Sequence, residues 1–125
     1  MSEINRDINL LVGPLKIIIP EINADITKHN FPFAFFEGWR SPERQKELVA
    51  QGNSKTLDSP HLKGCAVDYV LLFNTWSWDY KNFSYWWESF GKFVSLKYDL
   101  EWGGNWTTFK DYPHFQLKNW RNLNG

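Results

Sequence analysis

The chain has 125 residues, with 14 Lys and Arg against 14 Asp and Glu and a hydrophobic content of 42%. That length supports one domain around a single core, and the balanced charge excludes the basic excess that a nucleic-acid or anionic-membrane surface requires. The single cysteine, Cys65, excludes an intramolecular disulfide. No apolar run approaches the ~18 residues of a membrane span, and "MSEINRDINL" lacks the basic start and apolar stretch of a signal peptide. A soluble protein that begins in the cytoplasm is therefore expected.

No repeat, low-complexity tract or linker-like shift in composition divides the chain, so residues 1–125 are expected to form one module. Residues 3–11 suggest a short helix ending near Gly13-Pro14. From Leu15 to Asn30, Leu15, Ile18, Ile22 and Ile26 recur at helical spacing, with Pro20 expected to kink the helix or start a fresh one. His29, beside Lys28, suits the helix end and is given no chemical role. "FPFAFFEG" (31–38) reads as a strand. Residues 41–52 follow as a helix, with Ser41 as N-cap, Pro42 at the first position and Gly52 as stop. Residues 53–60 are loop-like, and Ala66 to Phe73 is the central strand. Residues 82–98 form an amphipathic helix with Phe83, Trp87, Phe90 and Val94 in register, and Gly91 within it suggests close packing. Two short strands, 100–102 and 114–117, complete an α+β fold in which helices pack on a small, mainly antiparallel sheet with a site in a cleft.

Eight tryptophans, ten phenylalanines and five tyrosines fill a small core or line a groove for sugars or peptides, and composition favours the core. The chemistry concentrates in "SPHLKGCAVD" (59–68). A carboxylate entering an apolar strand needs compensation, and a cation shared by Asp68 and His61 supplies it. Strand alternation sets Asp68 with Ala66 and Val70 on one face, and Cys65 with Val67 and Tyr69 on the other, so Cys65 is an inert core thiol rather than a ligand. In "DYPHFQ" (111–116), Pro113 forces an extended approach, so His114 opens a strand. Asp111 then lies further out, where a general base belongs. Two histidines and one carboxylate with an open position are the donor set of a catalytic zinc site. Zinc there acidifies water and polarises a scissile carbonyl. Arg40, at a strand-to-helix junction, would stabilise a developing oxyanion or pair with Glu37. Each piece alone is more often structural, and together they favour catalysis.

The runs "GWRSPERQKELVAQGNSKT", "SPHLKGCAVDYV" and "DYPHFQL" resemble the small zinc peptidases that cleave peptidoglycan stem peptides. Ser59, His61, Gly64, Ala66 and Asp68 match S-x-H-x-x-G-x-A-x-D, and Asp111 with His114 match the following acid-and-histidine pair. The likeness covers about residues 37–117 and leans to the L-alanyl-D-glutamate endopeptidases of phage lysins. It implies Zn2+ held by His61, Asp68 and His114, with Asp111 as base and Arg40 contacting substrate and oxyanion. It further implies that Ser59 hydrogen-bonds near the site and that Gln45, Trp102 and Trp106 line the substrate groove. Gln116 stands where relatives commonly carry a carboxylate.

The implied protein is a single catalytic domain without a wall-binding module, a monomer with no nucleic-acid or stable membrane partner. It would be made in the host cytoplasm as an endolysin and act on the wall after release. The alternatives are a D-alanyl-D-alanine carboxypeptidase or dipeptidase, a non-catalytic zinc-bearing binding domain, and a metal-free aromatic-rich fold.

Overall fold

The computed structural model describes residues 2–122. Near the N-terminus the expected helix is reduced to one 3-10 turn, Ile8–Leu10. Asn5 Oδ1 accepts from the Asp7 N–H and Asp7 Oδ1 from the Asn9 N–H, each at 2.9 Å. Such short polar side chains capture backbone donors that a helix would need.

Helix α1 spans Gly13–His29 and stops at Asn30, whose left-handed φ of 56° lets its N–H reach the Ile26 and Thr27 carbonyls. Leu15, Ile19 and Ile22 face the core. Pro20 does not start a fresh helix. It sits on the exposed side together with Lys16, the residue whose carbonyl loses its helical donor, and water can serve that carbonyl. Strand β1 (Phe33–Glu37) leads into α2 (Pro42–Ala50), capped by Ser41, whose hydroxyl accepts from the Arg44 N–H at 3.1 Å. Strand β2 (Ala66–Phe73) is followed by β3 (Thr75–Ser77), which turns back through Asn74 at φ 61°. Sequence reading had no strand at β3, because three residues, two exposed and one half-buried, carry no burial pattern. Helix α3 (Ser84–Tyr98), β4 (Leu100–Trp102) and β5 (His114–Leu117) complete the chain.

Every strand pairing is antiparallel, in the order β1-β2-β5-β4 with β3 hairpinned onto β2. Register decides the two faces. Val67 pairs with Phe115, and Phe115 with Trp102; these residues, with Tyr69, Leu71 and Phe33, meet α1 and α3 in the core. Trp102 fits over two glycines: a Cβ on Gly91 would lie 2.1 Å from its ring, and one on Gly104 2.2 Å. On the opposite face Asp68 pairs with His114, Ala66 with Gln116, and Gln116 with Glu101. Helices α1 and α3 therefore cover one side of the sheet, and the chemistry stands on the other. Helix α2 buries only Gln45 and flanks that second face.

Candidate metal and catalytic centre

His61 is not on a strand but in a 3-10 turn, Pro60–Lys63, which sequence reading left unassigned between the loop ending at residue 60 and the strand from Ala66. Ser59 caps the turn, its hydroxyl accepting from the His61 N–H at 3.2 Å. The turn closes on Gly64 at φ 68°, a conformation open to glycine. A side chain there would also meet the Leu10 carbonyl oxygen at 2.6 Å. The first motif thus needs its glycine twice over, once for the turn and once for the close passage of the N-terminal segment.

His61 Nε2 lies 3.4 Å from Asp68 Oδ1, and His114 Nδ1 lies 3.3 Å from the same oxygen. One donor atom from each of these residues falls within 4.8 Å of the others. The remaining nitrogens are held from behind. His61 Nδ1 donates to the Gly38 carbonyl at 2.8 Å, and His114 Nε2 to Gln116 Oε1 at 2.7 Å. In the neutral imidazoles these bonds leave the lone pairs of His61 Nε2 and His114 Nδ1 directed toward a carboxylate oxygen. His61 Nε2 and Asp68 Oδ1 are buried and lack any hydrogen-bond partner. Buried acceptors that converge without donors repel one another, and a cation resolves the conflict. The donor set therefore fits a divalent metal ion of the zinc type.

Arg40 lies behind Asp68. It is 8% exposed, and its terminal nitrogens reach Gln45 Oε1 at 2.9 Å, Glu37 Oε1 at 3.1 Å and Asp68 Oδ2 at 3.1 Å. Glu37, itself buried, also pairs with Arg44. A bulge between Phe35 and Glu37 brings Glu37 opposite Asp68 in the sheet. The outer oxygen of Asp68 is thus fixed by a cation while the inner one faces the imidazoles. Burial pushes the Asp68 carboxyl upward, but in the absence of a cation the positive charge of a protonated His61 and the approach of both rings outweigh it and hold the group well below the usual carboxylate range. Burial likewise lowers His114, and Asp68 reverses the effect, leaving the imidazole above its ordinary value.

Asp111 lines the same cleft, whose volume is about 1180 Å³. Its carboxyl is raised, first by desolvation and then by the neighbouring Asp68 charge. Its backbone is gripped at Gly103: the Asp111 N–H donates to the Gly103 carbonyl at 3.0 Å, and a Cβ on Gly103 would stand 2.3 Å from the Asp111 oxygen. The Asp111 carbonyl in turn accepts from the His114 N–H at 3.2 Å. The base candidate and the last ligand candidate therefore share one tight turn.

Of the four residues expected around the substrate, two are at the cleft. Ser59 and Trp106 line it, and the Trp106 indole N–H donates to Glu101 Oε2 at 2.9 Å. The other two are corrected. Gln45 is buried, its amide spent on Arg40, Ser54 and Thr56, so it braces Arg40 instead of meeting substrate. Trp102 faces the core by strand register and donates to the Tyr112 carbonyl at 2.8 Å. Sequence reading missed Gly38, Gly103 and Glu101. Glu101 Oε2 also accepts from Gln116 Nε2 at 3.2 Å, so a carboxylate does stand behind His114, one residue further back than in a direct pair. Alternation in "LEW" could have put Glu101 on the site face, but nothing local signalled the two glycines. Cys65 is buried and is not among the residues whose donor atoms converge.

An open antiparallel sheet that presents two imidazoles and a carboxylate to a cleft, with a second acid beside them, is the architecture of a hydrolase centre. An M15 peptidase family model, described as D-alanyl-D-alanine carboxypeptidase, matches residues 52–117. The chain belongs to this metal-dependent peptidase family. It is 38% identical over 85 residues to the L-alanyl-D-glutamate peptidase of Listeria phage A118, covering 66% of this chain and 29% of that protein. It is 32% identical over 96 residues to the peptidoglycan L-alanyl-D-glutamate endopeptidase CwlK of Bacillus subtilis (strain 168), covering 65% of this chain and 58% of the relative. The chain thus spans less than two thirds of the length of either relative. The crystal structure of the Serratia marcescens L-Ala D-Glu endopeptidase ChiX superposes with a TM-score of 0.67 at 33% identity, over 90% of this chain and 84% of that one.

Proposed function

We propose that the protein is a zinc-dependent endopeptidase that hydrolyses the L-alanyl-D-glutamate bond of peptidoglycan stem peptides, in the manner of a phage endolysin acting on the wall of a host. The observation that carries the reading is the meeting of buried, donor-less His61 Nε2 and Asp68 Oδ1 with His114 Nδ1, beside the separate acid Asp111. Relatives whose names specify L-Ala–D-Glu cleavage support the choice of bond.

His61, Asp68 and His114 would hold the ion. When bound, a zinc ion supplies Lewis acidity to the scissile carbonyl and lowers the pKa of water at the site. Asp111 takes the proton of the attacking water through its carboxylate and delivers it to the departing amine of D-glutamate, so the peptide C–N bond breaks as the new C–O bond forms. Arg40 fixes the rotation of Asp68 through Oδ2. Gly38 and Gln116 fix the two imidazoles in the tautomers that leave the inner nitrogens free. Desolvation around Asp111 makes its carboxylate a stronger base than an exposed one.

A second reading follows from the description of the family model: a carboxypeptidase that releases terminal D-alanine. It places the same chemistry at the other end of the stem. Metal dependence tests both. Dialysis against a chelator is expected to abolish the release of new amino groups from purified sacculi, and zinc to restore it. Equal rates before and after chelation would contradict the assignment.

A further inference from the structure

Aromatic side chains divide into two populations. Trp87, Trp102, Phe90 and Phe115 are fully buried. Trp76, Trp78 and Tyr80 are 47%, 42% and 38% exposed, although burying such apolar rings would stabilise the fold. They stand at alternate positions, beginning on β3. Trp76 pairs with Leu72 of β2, in step with Asp68 and Val70 on the face that carries the site. Phe36 joins them, its ring centroid 5.4 Å from Trp76 and 4.9 Å from Trp78. The Arg6 guanidinium lies 4.8 Å over the Trp76 ring and stiffens the outer end. Phe36, Trp78 and Tyr80 line the cleft that contains His61, Asp68, His114 and Asp111. The aromatic surface is therefore a continuation of the candidate active site.

Four of the eight indole N–H groups, those of Trp39, Trp87, Trp102 and Trp106, donate to an acceptor within the chain. Those of Trp76 and Trp78, like those of Trp86 and Trp120, have no partner among the described residues. A flat apolar face with a free donor at its edge suits a ligand that is apolar on its ring faces and rich in acceptors around its rim. Pyranose rings have that character: axial C–H groups on the faces, hydroxyl and acetamido oxygens at the edge.

We infer that Phe36, Trp76, Trp78 and Tyr80 form a subsite for the glycan strand of peptidoglycan, in which N-acetylated amino sugars stack on the exposed rings. The inference rests on the proposed L-Ala–D-Glu specificity and deepens it. The stem peptide begins with an L-alanine amide-linked to the lactyl group of a muramic acid residue. The scissile bond therefore lies one amino acid from the sugar, and one extended residue covers only about 3.5 Å. A centre that cuts there must admit the glycan beside it. A centre for the terminal D-alanine would meet the opposite end of the stem and would have no sugar nearby. The zero net charge favours a neutral sugar over an anionic lipid as the occupant.

The test is the binding of peptide-free glycan strands, prepared by amidase stripping of sacculi, measured by titration calorimetry. Wild-type protein is expected to bind, and Trp76→Ala and Trp78→Ala to bind about tenfold more weakly each. Trp78 stacks near Trp87, so if Trp78→Ala fails to fold, the more exposed Trp76→Ala decides alone. Absence of glycan binding by the wild type, or equal binding by the tryptophan variants, overturns the subsite. So does a sedimentation shift in those variants that marks the patch as a contact between two copies. Cleavage of a sugar-free stem peptide reports on the peptidase reading separately, so the two ideas fail by different measurements.

Discussion

Asp68 joins the two halves of the site through its two oxygens: Oδ2 is tied to Arg40, and Oδ1 is left facing both imidazoles. That arrangement leaves one oxygen for a cation and uses the other to fix the carboxylate. Asp111 belongs to neither group, since it meets the site from the turn that Gly103 closes. Its replacement should therefore separate catalysis from metal binding. Asp111→Asn is expected to lower turnover by about 10²–10⁴-fold, the range typical of a general base, while bound zinc, measured by atomic absorption, stays stoichiometric. His61→Ala is expected to lose the metal itself. An Asp111→Asn variant with undiminished turnover would remove Asp111 from the mechanism. The convergence of His61, Asp68 and His114, with Asp111 in the same cleft, was readable because their spacing survives in one dimension. The pairing of Arg40 with Glu37 was one of the two options expected for Arg40, but the bracing by Gly38 and Glu101 was not legible, since it depends on contacts between segments distant in sequence.

Among the elements, α1 and α3 are joined by a polar clasp on the far side of the sheet from the cleft. Lys97 Nζ lies 2.9 Å from both Asp25 oxygens, and the Tyr98 hydroxyl donates to Asp25 Oδ2. Asp25 is 8% exposed. The Lys97 bond, then the Tyr98 bond, lowers its pKa, and Asp25 raises that of Lys97. A depressed carboxyl stabilises the fold above the ordinary aspartate value and loses that contribution as pH falls through the lowered one. A raised ammonium contributes below the ordinary lysine value and loses it as pH climbs through the raised one. The clasp therefore acts between about pH 4 and about pH 10. Asp25→Asn is expected to lower Tm most near neutrality, with the gap to wild type closing below about pH 4. A gap that persists unchanged at pH 2 would mean that packing, not charge, holds the helices. Helical periodicity revealed α1 and α3 within a residue or two of their ends, whereas the N-terminal segment misled because Asn5 and Asp7 reward local turns over a helix. Strand β3 and the turn that carries His61 were illegible because each is too short to show a period.

At the scale of the whole molecule, one sheet serves two purposes. Its inner face builds the core with α1 and α3, and its outer face presents the His61–Asp68–His114 cluster, Asp111 and the aromatic patch to one cleft. Strand parity assigns each residue to one of these tasks. It sends Trp102 inward and Glu101 outward from adjacent positions, which is why an abundance of tryptophan could not by itself say which rings meet substrate. The central claim is that this outer face cuts the first bond of the stem beyond alanine. Mass spectrometry of the products from a defined disaccharide-tetrapeptide muropeptide, treated with zinc-loaded protein, tests it most directly. The account predicts a disaccharide that retains only L-alanine, together with a released peptide that begins with D-glutamate. Loss of a single terminal D-alanine, with the rest of the stem intact, would contradict it.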